Sequence, residues 1–386
     1  MIVLDLLLSV FRFGLALRDL TVLYLLPKRV TENSMVGFLI HDRDGTDIAR
    51  WFPIVRYLPA ASQEWFRWWI WPVRTTKIRT SLTTPEGKII NGWLLAIMPT
   101  AEMMVRDLRK TKKKIDLLFR LADKLGISVV GLGAYSASVT RLGAKISGRD
   151  GEECAKPTTG HALTAAVIVG HVEKLALRLN IDLESKCLGI LGAGSIGSTC
   201  ARLLAKEFGK IVIVDIAKGV REDLARELRQ MGRFVVASDD LGTLKSADFV
   251  IVATTATGLI LKEEHLRQGA VVFDDSQPRN LSEETSRKSR VVVIDGGVTR
   301  NMHVSSGMDF GLCTHEDVWG CLGEAILIAA LGGQQDLCTV GLPKPETVRR
   351  LGNEAPDQGF ELVFRSFCRP LPVEAIMDCL NNGSST

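Results

Sequence analysis

Residues 187–215 read CLGILGAGSIGSTCARLLAKEFGKIVIVD. CLGILG (187–192) is an apolar run of strand length, Ile196–Lys206 has helical spacing, and KIVIVD (210–215) is a second strand ending on an acid. Gly192, Gly194 and Gly197 give the GxGxxG spacing, which by itself is weak evidence. Set between a strand and a helix, and followed by a strand ending in Asp215, it is the fingerprint of a dinucleotide-binding unit. Gly192 allows the tight turn, Gly194 lets the main chain approach a pyrophosphate, and Gly197 lets the helix pack close to the strand. Ser195 and Ile196 open a helix whose N-terminus offers N–H groups and positive potential to phosphates. Asp215 is placed to accept hydrogen bonds from the adenosine ribose, and its charge disfavours a 2′-phosphate. The residues thus favour NADH over NADPH, with Lys218 near enough to soften the preference. Thr254, Thr255 and Gly258 follow a later strand and are candidate cofactor neighbours, simple turn chemistry being the competing explanation.

Outward from that stretch the pattern repeats. Val220–Gln230 reads as a helix, and RFVVAS (233–238), DFVIVAT (248–254), AVVFDD (270–275) and VVVIDG (291–296) read as strands. The fold class is α/β, with a Rossmann doubly wound parallel sheet over residues 184–300. Residues 31–183 read as an α/β substrate domain. It holds apolar runs at 35–40 and 88–99, a strand entering a Gly/Ser-rich turn at 126–140, and a polar stretch at 145–157. A long helix starts near Thr159. A helix is also expected over 101–125, with Met104, Leu108, Ile115, Leu118 and Leu121 on its apolar face and Arg106, Arg109, Lys110, Lys112, Lys113 and Lys114 on the other. That basic run is either a solvated face or a docking patch for an acidic partner or anionic lipid. Residues 301–386 form a C-terminal segment with a helix near 317–331 that packs back on the substrate domain.

The whole chain of 386 residues carries 48 Lys and Arg against 44 Asp and Glu, a net charge of +4. A balance so close to neutral argues against nucleic acid as a partner. Its eight cysteines stand singly at 154, 187, 200, 313, 321, 338, 368 and 379, with neither a CxxC pair nor zinc-site spacing, so no metal is expected. Reduced thiols in a cytoplasmic protein are the expectation.

The N-terminal extension, residues 1–30, opens with MIVLDLLLSVFRFGLALRDLTVLYLLP (1–27). Asp5, Arg12, Arg18 and Asp19 interrupt the run, so no uncharged stretch reaches the roughly 20 residues of a spanning helix. Nor is there a basic leader with a cleavage site. Asp5, Arg12 and Asp19 recur every seven residues and share one side of a helix. That leaves a broad apolar face for the protein's own body, a partner or a membrane interface. Five of the seven tryptophans, Trp51, Trp65, Trp68, Trp69 and Trp71, cluster downstream. They suit an aromatic core or lid, an interfacial belt, or an acyl-chain pocket.

For chemistry, none of the histidines at 41, 161, 171, 265, 303 and 315 forms a recognisable base-plus-carboxylate motif. Cys321 lies in THEDVWGCLGEAILIAALGG (314–333), early in a helix that Thr314 and Asp317 are placed to cap, with Glu324 one turn on. A cysteine near a helix start can have a lowered thiol pKa, and a buried structural cysteine is the competing explanation.

The blocks MVGFLIH (35–41), GISVVGLGAYSAS (126–138), TTGHALTAAVIVGHVEKLALRLNIDL (158–183), ADFVIVATTATG (247–258), DDSQPRN (274–280), IDGG (294–297) and WGCLGE (319–324) stand in order along the chain. Together with the glycine loop they resemble the cyanobacterial-type long-chain fatty acyl-[acyl-carrier-protein] reductases. The resemblance implies a reductase that makes fatty aldehydes from acyl thioesters of acyl carrier protein or coenzyme A. In that family the cysteine matching Cys321 takes the acyl group, and the cofactor is generally NADPH. This chain departs from the family in having Leu163 where the family has a histidine, and in carrying Asp215. On this reading a Cys321 thiolate attacks the thioester, with Ser136 and Thr159 as candidate oxyanion donors. The Arg106–Lys114 patch meets an acidic carrier, and residues 1–27 meet a membrane into which the product partitions. Two alternatives stay open: a shikimate- or amino-acid-dehydrogenase-like enzyme acting on a small polar substrate, and an NAD-binding protein without turnover.

Overall fold

The computed structural model describes residues 2–26, 35–42, 44–146, 154–256 and 258–377. Cys379 and the limit drawn at residue 30 lie outside them. The chain divides into two compact units. The first comprises residues 1–160, 302–310 and 321–341; the second comprises 161–301, 311–320 and 342–386. The helix that follows Thr159 therefore goes with the dinucleotide fingerprint, and the segment after residue 300 is shared between the units. The sequence-based limits at 183 and 300 differ from this division.

The first unit is built on a six-stranded mixed sheet. Its labelled strands are β1 (Val36–Asp42), β2 (Val73–Thr83), β3 (Ile89–Thr100), β4 (Val129–Leu132) and β5 (Lys156–Thr158), and the sixth strand is Val304–Ser305. The order is Val304–Ser305, β2, β3, β1, β4, β5. β1 runs parallel to β3 and β4, β4 parallel to β5, and β2 antiparallel to β3. Strands covered on both faces read as apolar runs, which is why MVGFLI and WLLAIM lack polar alternation. Leu39, Leu95 and Ile97 of the sheet pack with Ile115, Leu118, Phe119 and Leu121 in one core. The polar stretch expected at 145–157 runs into β5; its residues 147–153 lie outside the description.

The helix expected over 101–125 is two helices, Ala101–Arg106 and Leu108–Lys124. Asp107 leaves the helical region at φ −131° and its carboxylate accepts the Lys110 N–H at 2.9 Å, capping the second helix. Leu108 consequently stands exposed, whereas Met104, Ile115, Leu118 and Leu121 are buried. The basic face is partly engaged: Lys112 pairs with Asp116 at 2.8 Å, Arg106 pairs with Glu64, and Lys114 donates to the Ile70 carbonyl. Burial lowers the Lys114 pKa to about 8.

The N-terminal helix, Ile2–Tyr24, has its charged positions on one side as the seven-residue spacing predicts, and that side faces the protein. Asp5, Ser9, Ala16 and Asp19 are buried, while Val3, Leu7, Val10 and Phe11 are exposed. The inverted arrangement has specific partners. Asp5 accepts from Tyr57 at 2.8 Å, Ser9 from the Ile54 amide at 2.9 Å, and the Ala16 carbonyl from the Trp71 indole at 2.6 Å. Asp19, fully buried, accepts from both the amide and the Nε of Arg74 at 2.7 Å. In the first half of the helix the apolar face stays exposed, whereas Val22 and Leu23 near its end join the core of the first unit. No helix among the described residues is long and apolar enough to cross a membrane.

The second unit carries six parallel strands, β6 (Cys187–Leu191), β7 (Lys210–Val214), β8 (Phe234–Ser238), β9 (Phe249–Val252), β10 (Val271–Asp274) and β11 (Val292–Asp295). Their order, β11-β10-β9-β6-β7-β8, reverses between β6 and β9. This is the doubly wound Rossmann order with its ligand crevice at the switch point. Helix His161–Leu179 packs on helices Ser195–Leu204 and Pro345–Glu354.

Candidate active site

In the second unit the glycines of the loop have the surroundings a dinucleotide requires. Gly192 has φ +95°, and a Cβ there would stand 2.5 Å from the Ala253 carbonyl oxygen. A Cβ on Gly197 would strike the Gly192 carbonyl. At Gly194 nothing lies within 4 Å of the Cβ position, so the main chain is open to a close ligand. Helix Ser195–Leu204 starts directly after Gly194, aiming its first amides as a phosphate cradle does. Asp215 ends the strand segment, one carboxylate oxygen accepting the Ala193 amide and the other the Ala217 amide, both at 2.7 Å. Each oxygen keeps lone pairs for a ribose hydroxyl. The nearby Arg221 donates to the Asp215 carbonyl at 2.7 Å and lies 3.5 Å from Asp239. Thr254 Oγ1 accepts the Ala256 amide at 3.2 Å, so this threonine shapes its own turn. These residues fit an NAD-type cofactor.

In the first unit Cys321 is the second residue of helix Gly320–Ala330, in its first turn. The expected cap is absent. Strand Asp317–Trp319 runs straight into the helix, and the Asp317 carboxylate accepts instead from the Thr314 amide at 3.0 Å and Arg365 at 2.9 Å. The helix starts later than those caps would set it, at Gly320, which places Cys321 in the first turn, where N–H groups lack intrahelical acceptors. The thiol is half-buried. Gly160, at φ +78°, passes so close that a Cβ on it would overlap Cys321. Glu324, fully buried one turn on, accepts the Thr158 hydroxyl and, at 3.1 Å, the Gly160 amide on the same oxygen. Thr158 Oγ1 accepts the Thr339 amide at 2.9 Å, and the Thr159 amide donates to the Thr339 carbonyl at 3.0 Å. Glu324 therefore fixes the 158–160 turn against the start of the cysteine's helix.

Three other free thiols, Cys187, Cys200 and Cys338, are poorly suited to nucleophilic work. Burial pushes up the Cys187 and Cys200 thiols, and burial with the neighbouring Glu324 charge pushes Cys338 up to about 12. Ser136 is fully buried and its hydroxyl proton is donated to the Gly133 carbonyl at 2.6 Å, leaving no donor for a developing oxyanion. Thr159 is brought to the turn beside Cys321; Ser136 is occupied elsewhere.

Residues 174–296 match the family model described as Shikimate / quinate 5-dehydrogenase. The chain is 26% identical over 260 residues to the long-chain acyl-[acyl-carrier-protein] reductase of Synechococcus elongatus, covering 64% of this chain and 75% of that protein. It is 26% identical over 194 residues to the glutamyl-tRNA reductase of Methanococcus maripaludis, covering 49% of this chain and 43% of that one. Among solved structures, the L-tryptophan dehydrogenase of Nostoc punctiforme aligns at TM-score 0.38 and 10% identity over 91% of this chain and 88% of that one. The chain is a distant relative of the NAD(P)-dependent dehydrogenases and reductases. The cofactor of its glycine loop is a nicotinamide dinucleotide.

Several residues at these sites escaped the sequence reading. His161 Nδ1 shares a 2.9 Å hydrogen bond with Ser195 Oγ in the glycine loop, and burial lowers its pKa to about 4. Asn280 donates to the carbonyls of Ala256 at 3.0 Å and Gly258 at 2.9 Å, holding the turn after β9. Both stand in quoted blocks, TTGHA and DDSQPRN, but nothing in their spacing shows the partner. Burial and the Asp274 charge push Asp275 up to about 8. The expectation of uniformly reduced thiols is overturned in the second unit, where Cys313 and Cys368, 55 residues apart, form a disulfide. Asp295 brings its carboxylate within 4.8 Å of both sulfurs and accepts the Cys368 amide at 3.2 Å.

Proposed function

We propose that this protein reduces a long-chain fatty acyl thioester, carried on acyl carrier protein or coenzyme A, to a fatty aldehyde. The observation that carries the reading is Cys321 in the first turn of its helix, with the Gly160 main chain against it and Glu324 locking the turn. The similarity to an acyl-[acyl-carrier-protein] reductase over 64% of the chain supports it. Cys321 Sγ attacks the acyl carbonyl; the new C–S bond forms as the bond to the carrier sulfur breaks, and the carrier leaves as its thiol. First-turn amides after Cys321, those of Leu322 and Gly323, are the candidate donors for the transient oxyanion, in place of Ser136. Gly192, Gly194, Ser195, Ile196, Gly197 and Asp215 hold the dinucleotide, and Asp215 makes NADH the preferred form. Bound NAD(P)H supplies the hydride that converts the S-acyl group to aldehyde. Cys321 is then the leaving group, a role a thiolate fills better than an alkoxide.

The match to Shikimate / quinate 5-dehydrogenase over 174–296 favours a second reading, a dehydrogenase of a small polar substrate with a structural Cys321. That match covers chiefly the dinucleotide-binding region, which both readings share. Single-turnover incubation with long-chain acyl-CoA or acyl carrier protein thioester, followed by intact-mass spectrometry, separates them. The first reading expects an acyl adduct on wild type, none on Cys321→Ala, and aldehyde release when NADH or NADPH is added. No adduct and no aldehyde from either carrier would overturn it.

A further inference from the structure

The N-terminal helix, Ile2–Tyr24, presents its apolar side outward, and the nature of that side points to its occupant. Val3, Leu7, Val10 and Phe11 lie at helical spacing on the face opposite Asp5, Ser9 and Asp19, and each is more than 60% exposed. An apolar surface of that extent marks an interaction site. The face does not end with the helix. Phe13 stacks on Trp69 with ring centroids 6.1 Å apart, and Trp69 stacks on Trp65 at 5.6 Å. Trp65 is 62% and Trp69 47% exposed, so the indoles extend the helix's apolar side at an aqueous boundary. Beside them, Lys110 lies 5.5 Å over the Trp68 ring and lines an open hollow with Trp65 and Trp69. Arg109 and Lys113, exposed on the same helix as Lys110, add positive charge.

We infer that this face of the first unit seats in the interface of an anionic lipid bilayer, with the helix lying in the membrane plane. Three features of the surface agree on this occupant. A helix with one strongly apolar side that cannot span fits the headgroup–acyl boundary. Exposed tryptophans partition to that boundary. Bordering Lys and Arg are attracted to anionic headgroups. The inference concerns a surface remote in sequence from Cys321 and the glycine loop, and it requires neither the acyl substrate nor the cofactor.

The test uses full-length protein and vesicles of phosphatidylcholine alone or mixed with phosphatidylglycerol, read by co-sedimentation and by tryptophan emission. Wild type is expected to bind the mixed vesicles, to bind phosphatidylcholine more weakly, and to shift its emission to the blue. Leu7→Glu with Phe11→Glu is expected to weaken binding by about tenfold or more, and Lys110→Glu with Lys113→Glu to remove the preference for phosphatidylglycerol. Circular dichroism melting checks that the variants fold; should the first pair misfold, Trp65→Glu reads the same face from another helix. Failure of folded wild type to bind either vesicle overturns the inference, as does undiminished binding by the folded variants. A dimer that Leu7→Glu with Phe11→Glu dissociates, without lipid binding by wild type, would assign the face to a second copy instead.

Discussion

At Gly160 the main chain leaves no room for a side chain beside Cys321. Gly160→Ala combines a positive φ with overlap, and about 2–4 kcal/mol of lost stability is expected from the two together. Urea denaturation measures the loss, and mass spectrometry should show a slower acyl adduct. Glu324 separates support from chemistry. Glu324→Ala strands the Thr158 hydroxyl and Gly160 amide and should cost about 1–3 kcal/mol. Glu324→Gln keeps an acceptor oxygen for both, so most of that stability returns. If Gln restores stability and acylation together, Glu324 is a positioning residue; restored stability with acylation still lost would give its charge a role in proton handling. His161 makes a pH prediction. Its ring titrates near 4 in the folded protein and near 6.5 in an unfolded chain. Between those values the unfolded chain holds a proton that the folded ring refuses, so stability falls as pH falls from 6.5 to 4. His161→Asn should flatten part of that slope in thermal melts taken across the window. His171, likewise lowered to about 4 by burial, keeps the remainder.

Elements show which parts of the structure sequence can report. The Rossmann strands were legible because each is a short apolar run and each join is local, down to the Gly192 turn. The paired helices at 101–124 were not, because an Asp107 cap inside an apolar period looks like one more polar position until its φ is known. The Cys313–Cys368 bond and the Glu324–Thr158 contact escaped because they join residues 55 and 166 positions apart. For the N-terminal helix, the seven-residue spacing showed that the charges share a side, but not that the body would take this side. Its attachment rests on Asp19, whose carboxylate is fully buried against Arg74. Asp19→Ala leaves that guanidinium buried without this partner and should cost about 3–5 kcal/mol. Thermal melting measures the cost, and limited proteolysis should show new cleavage within residues 2–26. Replacing both members by apolar residues, Asp19→Leu with Arg74→Met, is expected to recover most of the loss. Failure of Asp19→Ala to destabilise would mean that the Trp71–Ala16 bond and the Phe13 stacking hold the helix without the ion pair.

Over the whole molecule the chain passes between its two units at 160/161, 301/302, 310/311, 320/321 and 341/342, so neither unit is a continuous stretch. The first unit draws the Val304–Ser305 edge strand and the helix that begins at Gly320 from the far half of the chain. That helix contributes Leu322, Ile326, Leu327 and Ile328, all buried, at about 1.5–3 kcal/mol of hydrophobic burial each. Losing them removes roughly as much as the net stability of a whole domain, about 5–15 kcal/mol. It also removes Glu324, leaving the 158–160 turn without the acceptor that fixes it. A fragment of residues 1–160 should therefore lack a cooperative melt and near-ultraviolet dichroism when expressed alone. Co-expression with residues 161–386, which restores 321–341 to the first unit, should recover both signals and, with them, acylation at Cys321. A sharp melt from residues 1–160 alone would show that the first unit folds without the cysteine's helix. Cys321 would then sit on an appendage rather than on a structural member, and the link between its position and the stability of the sheet would fail.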